Sequence, residues 1–261
     1  MVKLNLIERT SKFRKVGMIA AIATAIFSAP ALAEDVKGRM DEKALSVLKE
    51  MSDYLGSSQT ISFRVNTFFD VVRKSGIKIK AGRSSRIVMK RPKHLSIFTE
   101  GDDGRAATIW YDGKKLTWWQ RDANKVMGVD FAGTTDEMLD HLIKKYDVQI
   151  PLADLLYSDI NSTFAADLKS AEHVGMRVVD GVKCHQLSFE SIGVDWQIWV
   201  EADATPVPRR LVMDFIAEET KPQYMAKMDS WSIGGEVADY NFTAALPDGV
   251  KQVEFTLKPV D

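Results

Sequence analysis

Residues 60–72 read TISFRVNTFFDVV. Ile61, Phe63, Val65, Phe69 and Val71 take alternate positions, with Ser62, Arg64, Asn66 and Asp70 between them. Successive side chains of a strand point to opposite faces, so this is a long strand with one buried and one wet face. Alternation of this kind belongs to antiparallel sheets that pack one side on a core.

The same reading extends outward in both directions. Upstream, Asp41 caps a helix that runs to about Leu55, with Gly56 as its stop. Ala44, Leu45, Leu48, Met51 and Leu55 share one face of that helix. Downstream, strands are expected at 77–90, 94–100, 106–111, 115–120 and 125–131. Ser75-Gly76, Gly101-Asp102-Asp103-Gly104, Asp112-Gly113 and Asp122-Ala123-Asn124 turn between them. Thr134 to Glu137 reads T-x-x-E, a capping box, followed by Met138, Leu139, Leu142, Ile143 and Tyr146 at helical spacing. Pro151 suits the first position of a short helix carrying Leu152, Leu155 and Leu156. Strands resume near Phe164 and continue at 174–179, 182–189, 194–201, 209–216, 224–233 and 250–257. The expected fold is α+β and mainly antiparallel, with about eleven strands at the spacing of a sandwich or barrel and a few helices over one open face.

The first 33 residues read as a leader. Lys3, Arg9, Lys12, Arg14 and Lys15 precede an apolar run from Val16 to Phe27, and Ala31-Leu32-Ala33 supplies the small residues of a cleavage site. The expected domains are therefore a signal peptide, 1–33, and a single domain, 34–261. The apolar run is short for a permanent anchor, and no later stretch is long enough for a membrane-spanning helix. Glu34 stands where a lipid-anchored protein needs cysteine, so a periplasmic protein that is not an integral membrane protein is expected. One cysteine, Cys184, permits no internal disulfide. Removing the basic leader from a chain of net charge −1 leaves an acidic remainder, which gives nucleic acid and anionic lipid surfaces no basic footprint.

No catalytic constellation stands out. His94, His141, His173 and His185 lack metal-ligand spacing, and each reads as a residue filling a sheet face. Cys184 and His185 are neighbours on a strand and point apart. Asp195 reads as a solvated residue at a strand start. No metal, cofactor or catalytic residue is expected, and an enzyme acting on an envelope substrate ranks third among the functions considered.

Trp110, Trp118, Trp119, Trp196, Trp199 and Trp231 all fall on expected strands, and alternation puts them on both faces. Core packing explains such aromatics. So does a pocket for an apolar ligand, for which Met89, Met213, Met225 and Met228 supply an adaptable lining. Strand parity gives the lining candidates: Phe63, Val65, Phe69, Ile87, Met89, Leu95, Ile97, Ile109, Tyr111, Trp118, Trp196, Ile198, Leu211 and Met213. A register slip would exchange faces strand by strand.

Lys90-Arg91-Pro92, followed by a strand and then by Asp112-Gly113-Lys114, Leu116 and Trp118, resembles the K-R-P and D-G-K motifs of the LolA family of periplasmic lipoprotein carriers. Phe242-Thr243 and Pro247-Asp248-Gly249-Val250 resemble the stretch before that family's last strand. Asp195-Trp196-Gln197-Ile198-Trp199 and Pro206-Val207-Pro208-Arg209 resemble a group of predicted periplasmic proteins of unassigned function linked to the same fold. The resemblance implies an incomplete, half-open antiparallel β-barrel with helices as a lid over a hydrophobic cavity. It also implies that Arg91, at the K-R-P arginine, bonds to the lid and holds the cavity closed. The expected function is binding of a lipid or lipoprotein acyl chain, as a carrier or sensor. The alternative is a non-enzymatic module for an envelope protein partner, its cavity filled by the lid.

Overall fold

The computed structural model describes residues 38–146 and 152–255. The leader with its exit at Ala33, the start at Glu34, Pro151 and the end of the expected last strand, at Leu257, lie outside the described residues. The elements run α1 (Glu42–Gly56), β1 (Thr60–Val72), β2 (Lys78–Lys90), β3 (His94–Gly101), β4 (Ala106–Tyr111), β5 (Lys115–Gln120), β6 (Lys125–Asp130) and α2 (Thr135–Tyr146). A short 3-10 helix (Ala153–Leu155) and α3 (Ile160–Ala165) precede β7 (Leu168–Val179), β8 (Val182–Ser191), β9 (Val194–Glu201), β10 (Pro208–Asp214) and β11 (Gln223–Ile233). A 3-10 turn (Asp239–Phe242) and β12 (Lys251–Gln252) complete the order.

All twelve strands form one sheet, ordered β12-β6-β5-β4-β3-β2-β1-β11-β10-β9-β8-β7. Its two ends, β12 and β7, are not neighbours, so the sheet is open. Every pairing is antiparallel except β12 on β6. The architecture is the expected one: mainly antiparallel, half-open, with few helices.

The alternation quoted above sets the faces. Ile61, Phe63 and Val65 are buried and belong to the main core, together with Val47, Leu48, Met51 and Leu55 of α1 and Met138, Leu139 and Leu142 of α2. The side of the sheet under these helices is called inner here. Helix ends form where the sequence places caps. Asp41 accepts from Lys43 N (2.8 Å) at the start of α1. Before α2, Thr134 N donates to Glu137 Oε2 (2.7 Å) and Glu137 N to Thr134 Oγ1 (3.2 Å), a reciprocal capping box.

Three elements differ from the sequence reading. The stretch near Phe164 is not strand but α3, because Asp159 caps it by accepting from Ser162 N (3.0 Å). The final strand is two residues long and parallel; Val253 N still donates to the Val126 carbonyl of β6 (2.9 Å), and the side chains of Val253 and Phe255 turn into the core. In β7 the register shifts between His173 and Gly175, where Gly175 has φ 130°, so that Met176 lies opposite His185.

Candidate functional site

Cross-strand pairing lays the inner face out in rows. One row runs Phe63–Ile87–Ile97–Ile109–Trp118–Met127 across β1 to β6. Another runs Phe69–Tyr224–Met213–Trp196–Phe189–Ala171 across β1 and β11 to β7. All fourteen lining candidates fall in the same core cluster. Phe63, Val65, Ile87, Met89, Leu95, Tyr111, Trp196, Ile198 and Leu211 are buried. Phe69, Ile97, Ile109, Trp118 and Met213 are half-buried and packed against that core. The face thus combines side chains buried under the protein's own helices with two half-covered stretches, Ile97–Ile109–Trp118 in the first row and Phe69 and Met213 on either side of Tyr224 in the second.

Several residues of this face stand outside the fourteen lining candidates. Trp231 stacks on Phe63 (centroids 4.2 Å) and Phe189 on Trp196 (4.1 Å). Phe255 sits edge-on between Trp118 (6.3 Å) and Tyr146 of α2 (4.7 Å), carrying the C-terminal segment onto the inner core. Tyr224 and Met228 are buried there too. Met225 is corrected: it faces the opposite side, with Val179, Cys184, Trp199 and Val212. Alternation already forbids Met225 and Met228 from sharing a face, and that signal was available.

The helices attach to the sheet through the Lys90-Arg91-Pro92 corner. Arg91 Nη1 donates to the Leu156 carbonyl (3.1 Å) and Nη2 to the Tyr157 carbonyl (2.9 Å). Thr135 N, at the start of α2, donates to the Pro92 carbonyl (2.7 Å). Burial pulls Arg91 below the ordinary arginine value, and the nearby Asp136 carboxylate opposes that. Asp136 in turn accepts from Ser158 N (3.0 Å), and Tyr157 Oη donates to Asp140 Oδ1 (2.9 Å). Tyr111, also a lining candidate, donates its hydroxyl to the Gly133 carbonyl (2.8 Å) and so braces the loop before α2. Gly56 allows α1 to close on the same segment. A Cβ there would stand 2.5 Å from the Ser158 carbonyl oxygen. Between these two elements lies a polar cleft of about 350 Å³, lined by Ser52, Asp53, Gly56, Ser57, Ser158, Asp159, Ile160 and Asn161.

Away from this corner, titratable groups meet across neighbouring strands. His173 Nε2 and His185 Nδ1 are 2.9 Å apart, a pairing that their spacing in the sequence does not reveal. Burial, with the charges of His173 and Lys43, holds His185 below the ordinary histidine value. Cys184 points to the other face, where burial pushes its thiol up. Asp195 is not a freely solvated strand-start residue. It pairs with Glu190 and Asp214 in a cross-strand row, and burial followed by those two carboxylates pushes it up. Among the described residues no three histidine, cysteine or acidic side chains converge as metal ligands, and no helix is long and apolar enough to cross a membrane.

No curated protein sequence matches the chain significantly. Among solved structures, an uncharacterized conserved protein of Thermus thermophilus is 11% identical, with 82% of this chain and 99% of that chain covered at a TM-score of 0.45. Lipoprotein LppX of Mycobacterium tuberculosis is 12% identical, covering 79% and 100% at a TM-score of 0.44. A LolA superfamily protein of Nitrosomonas europaea is 14% identical, covering 77% and 97% at a TM-score of 0.37. A sequence family matches residues 44–256, from the first buried residue of α1 to just past Phe255. With most of its length matched, the chain belongs to the family described as predicted periplasmic protein (DUF2092).

Proposed function

We propose that this protein binds the acyl chains of a lipid or an acylated lipoprotein on the inner face of its open sheet, as a carrier or sensor. In this reading the leader is removed after Ala33 and the mature chain works in the periplasm. The helices α1 to α3 are the lid, Arg91 is its latch, and no catalytic step is involved.

The observation that carries the reading is the pair of half-covered stretches on the inner face. Phe69, Ile97, Ile109, Trp118 and Met213 lie within the apolar rows, packed against the core, and remain half-covered. Apolar surface of this kind, continuous with a core and beneath elements held by a few polar bonds, is what an acyl chain needs. Each methylene removed from water contributes about 0.8 kcal/mol, so a chain lying along several rows binds without any directed contact.

Titration with cis-parinaric acid tests this directly, because the polyene emits strongly only in an apolar site. A saturable rise in emission is expected, accompanied by quenching of tryptophan emission. Emission that never saturates contradicts the reading.

A docking module for an envelope protein is the second reading. It draws on β7, the terminal strand of the sheet. Arg39 and Asp41 pair with its Ala171, and beyond that point Met176 and Val178 are exposed. A stable protein partner recovered with a lipid-free chain would favour it.

A further inference from the structure

On the side away from Arg91, the inner face carries a polar spot that core packing does not account for. Tyr224 of β11 lies between Phe69 of β1 and Met213 of β10 in one cross-strand row. It is only 6% exposed, and its hydroxyl makes no hydrogen bond of good geometry among the described residues, with Thr67 the one polar side chain close beside it. Thr67, the neighbouring inner residue of β1, gives its own proton to the Arg83 carbonyl (3.2 Å). A buried hydroxyl with no well-aligned partner is a net cost, and phenylalanine would fill the same space without it.

Arg83 of β2, opposite Thr67, stands over this spot. Its guanidinium carbon is 5.9 Å from the centroid of the Phe69 ring, and among the described residues it forms no ion pair. The side chain is exposed, so the charge sits where the buried row meets water. Burial pushes the Tyr224 hydroxyl up, with Thr67 and Arg83 opposing, so the phenol keeps its proton and remains a donor.

We propose that Tyr224 and Arg83 form a head-group subsite that selects amphiphiles ending in an anionic oxygen group, a carboxylate or a phosphate. This rests on the reading of the inner face as an acyl-binding surface. The guanidinium supplies a fork of donors matched to such groups, and the phenol supplies one donor from below. The acyl chain then leaves the subsite across the half-covered side chains of Phe69 and Met213. The subsite accounts for a tyrosine where the row otherwise holds apolar side chains, and for a cation at its rim that forms no ion pair among the described residues.

Displacement of the neutral probe N-phenyl-1-naphthylamine by twelve-carbon amphiphiles tests it. Laurate and dodecyl phosphate are expected to compete about tenfold better than dodecanol, the difference one charge-assisted hydrogen-bonded contact makes. Arg83→Gln should remove that preference. Tyr224→Phe, which keeps the ring and the packing, should weaken the two anions more than it weakens dodecanol, whose neutral hydroxyl is the poorer acceptor. A stronger response to laurate assigns a carboxylate head, and a stronger response to dodecyl phosphate a phosphate head. Equal competition by all three amphiphiles, or a preference that survives both variants, overturns the subsite while leaving the acyl surface standing. Competition by inorganic phosphate alone at the same concentration overturns it as well, since a free anion would then be the ligand. Failure of the probe and of every amphiphile to bind defeats the acyl surface itself, and the subsite with it.

Discussion

Arg91 sends one guanidinium to two carbonyls of the segment after α2, and that contact must break if the segment is to lift from the sheet. Hydrogen bonds from a charged donor contribute about 1.5–3 kcal/mol each when their partners are otherwise unsatisfied. Arg91→Leu removes both at once. The expected result is faster hydrogen exchange at residues 155–158 and faster uptake of cis-parinaric acid, with the sheet amides unaffected. Unchanged exchange and uptake would remove the latch role. Gly56 is the other residue on which the closed arrangement depends. Alanine gains up to about 1 kcal/mol over glycine in a helix. Here its Cβ would meet a backbone oxygen at 2.5 Å, which no side-chain rotation relieves. Overpacking of that kind costs about 1–3 kcal/mol, so Gly56→Ala is expected to lower the urea midpoint. A raised midpoint would show that α1 and the Ser158 segment can part freely.

At the scale of elements, strand pairing brings together charges that the sequence keeps far apart. Glu190, Asp195 and Asp214 face one another across β8, β9 and β10. A carboxyl raised above its ordinary value of 3.8 stabilises the fold only while protonated. That contribution is present below the unfolded value and lost as the pH rises through the folded one. Asp195→Asn is therefore expected to raise stability at pH 7, by less than about 1 kcal/mol because the row is partly exposed. It should make no difference near pH 3. Equal urea midpoints for the two proteins at pH 7 would contradict this. The strands themselves were legible because alternation is written residue by residue, as in β1, and because Asp-Gly turns mark the hairpins. The helix α3 was not. Residues 160–165 read INSTFA, with β-branched Ile160 and Thr163 and the aromatic Phe164, and only Asp159 with Ser162 signals a helix start. The short β12 was not legible either, since nothing in residues 250–257 says that the chain turns inward after two paired residues.

For the whole molecule, the face that would hold a ligand is assembled from eleven strands, β1 to β11, that span most of the chain. Each strand declares its own parity. The Phe69–Tyr224 pairing, 155 positions apart in sequence, exists only once β11 returns beside β1. That is why Phe69 and Met213 could be named from the sequence, whereas the poorly partnered hydroxyl between them could not. The His173–His185 contact is of the same kind, resting on a register shift in β7. The central claim is that the half-covered stretches of this face hold acyl chains. Native mass spectrometry of the protein released gently from its own periplasm tests it most directly. The account predicts a bound mass that collisional activation ejects as a lipid or that remains as an acylated protein. A chain that flies at its bare mass under the same conditions, and stays bare after incubation with total envelope lipid, would contradict it.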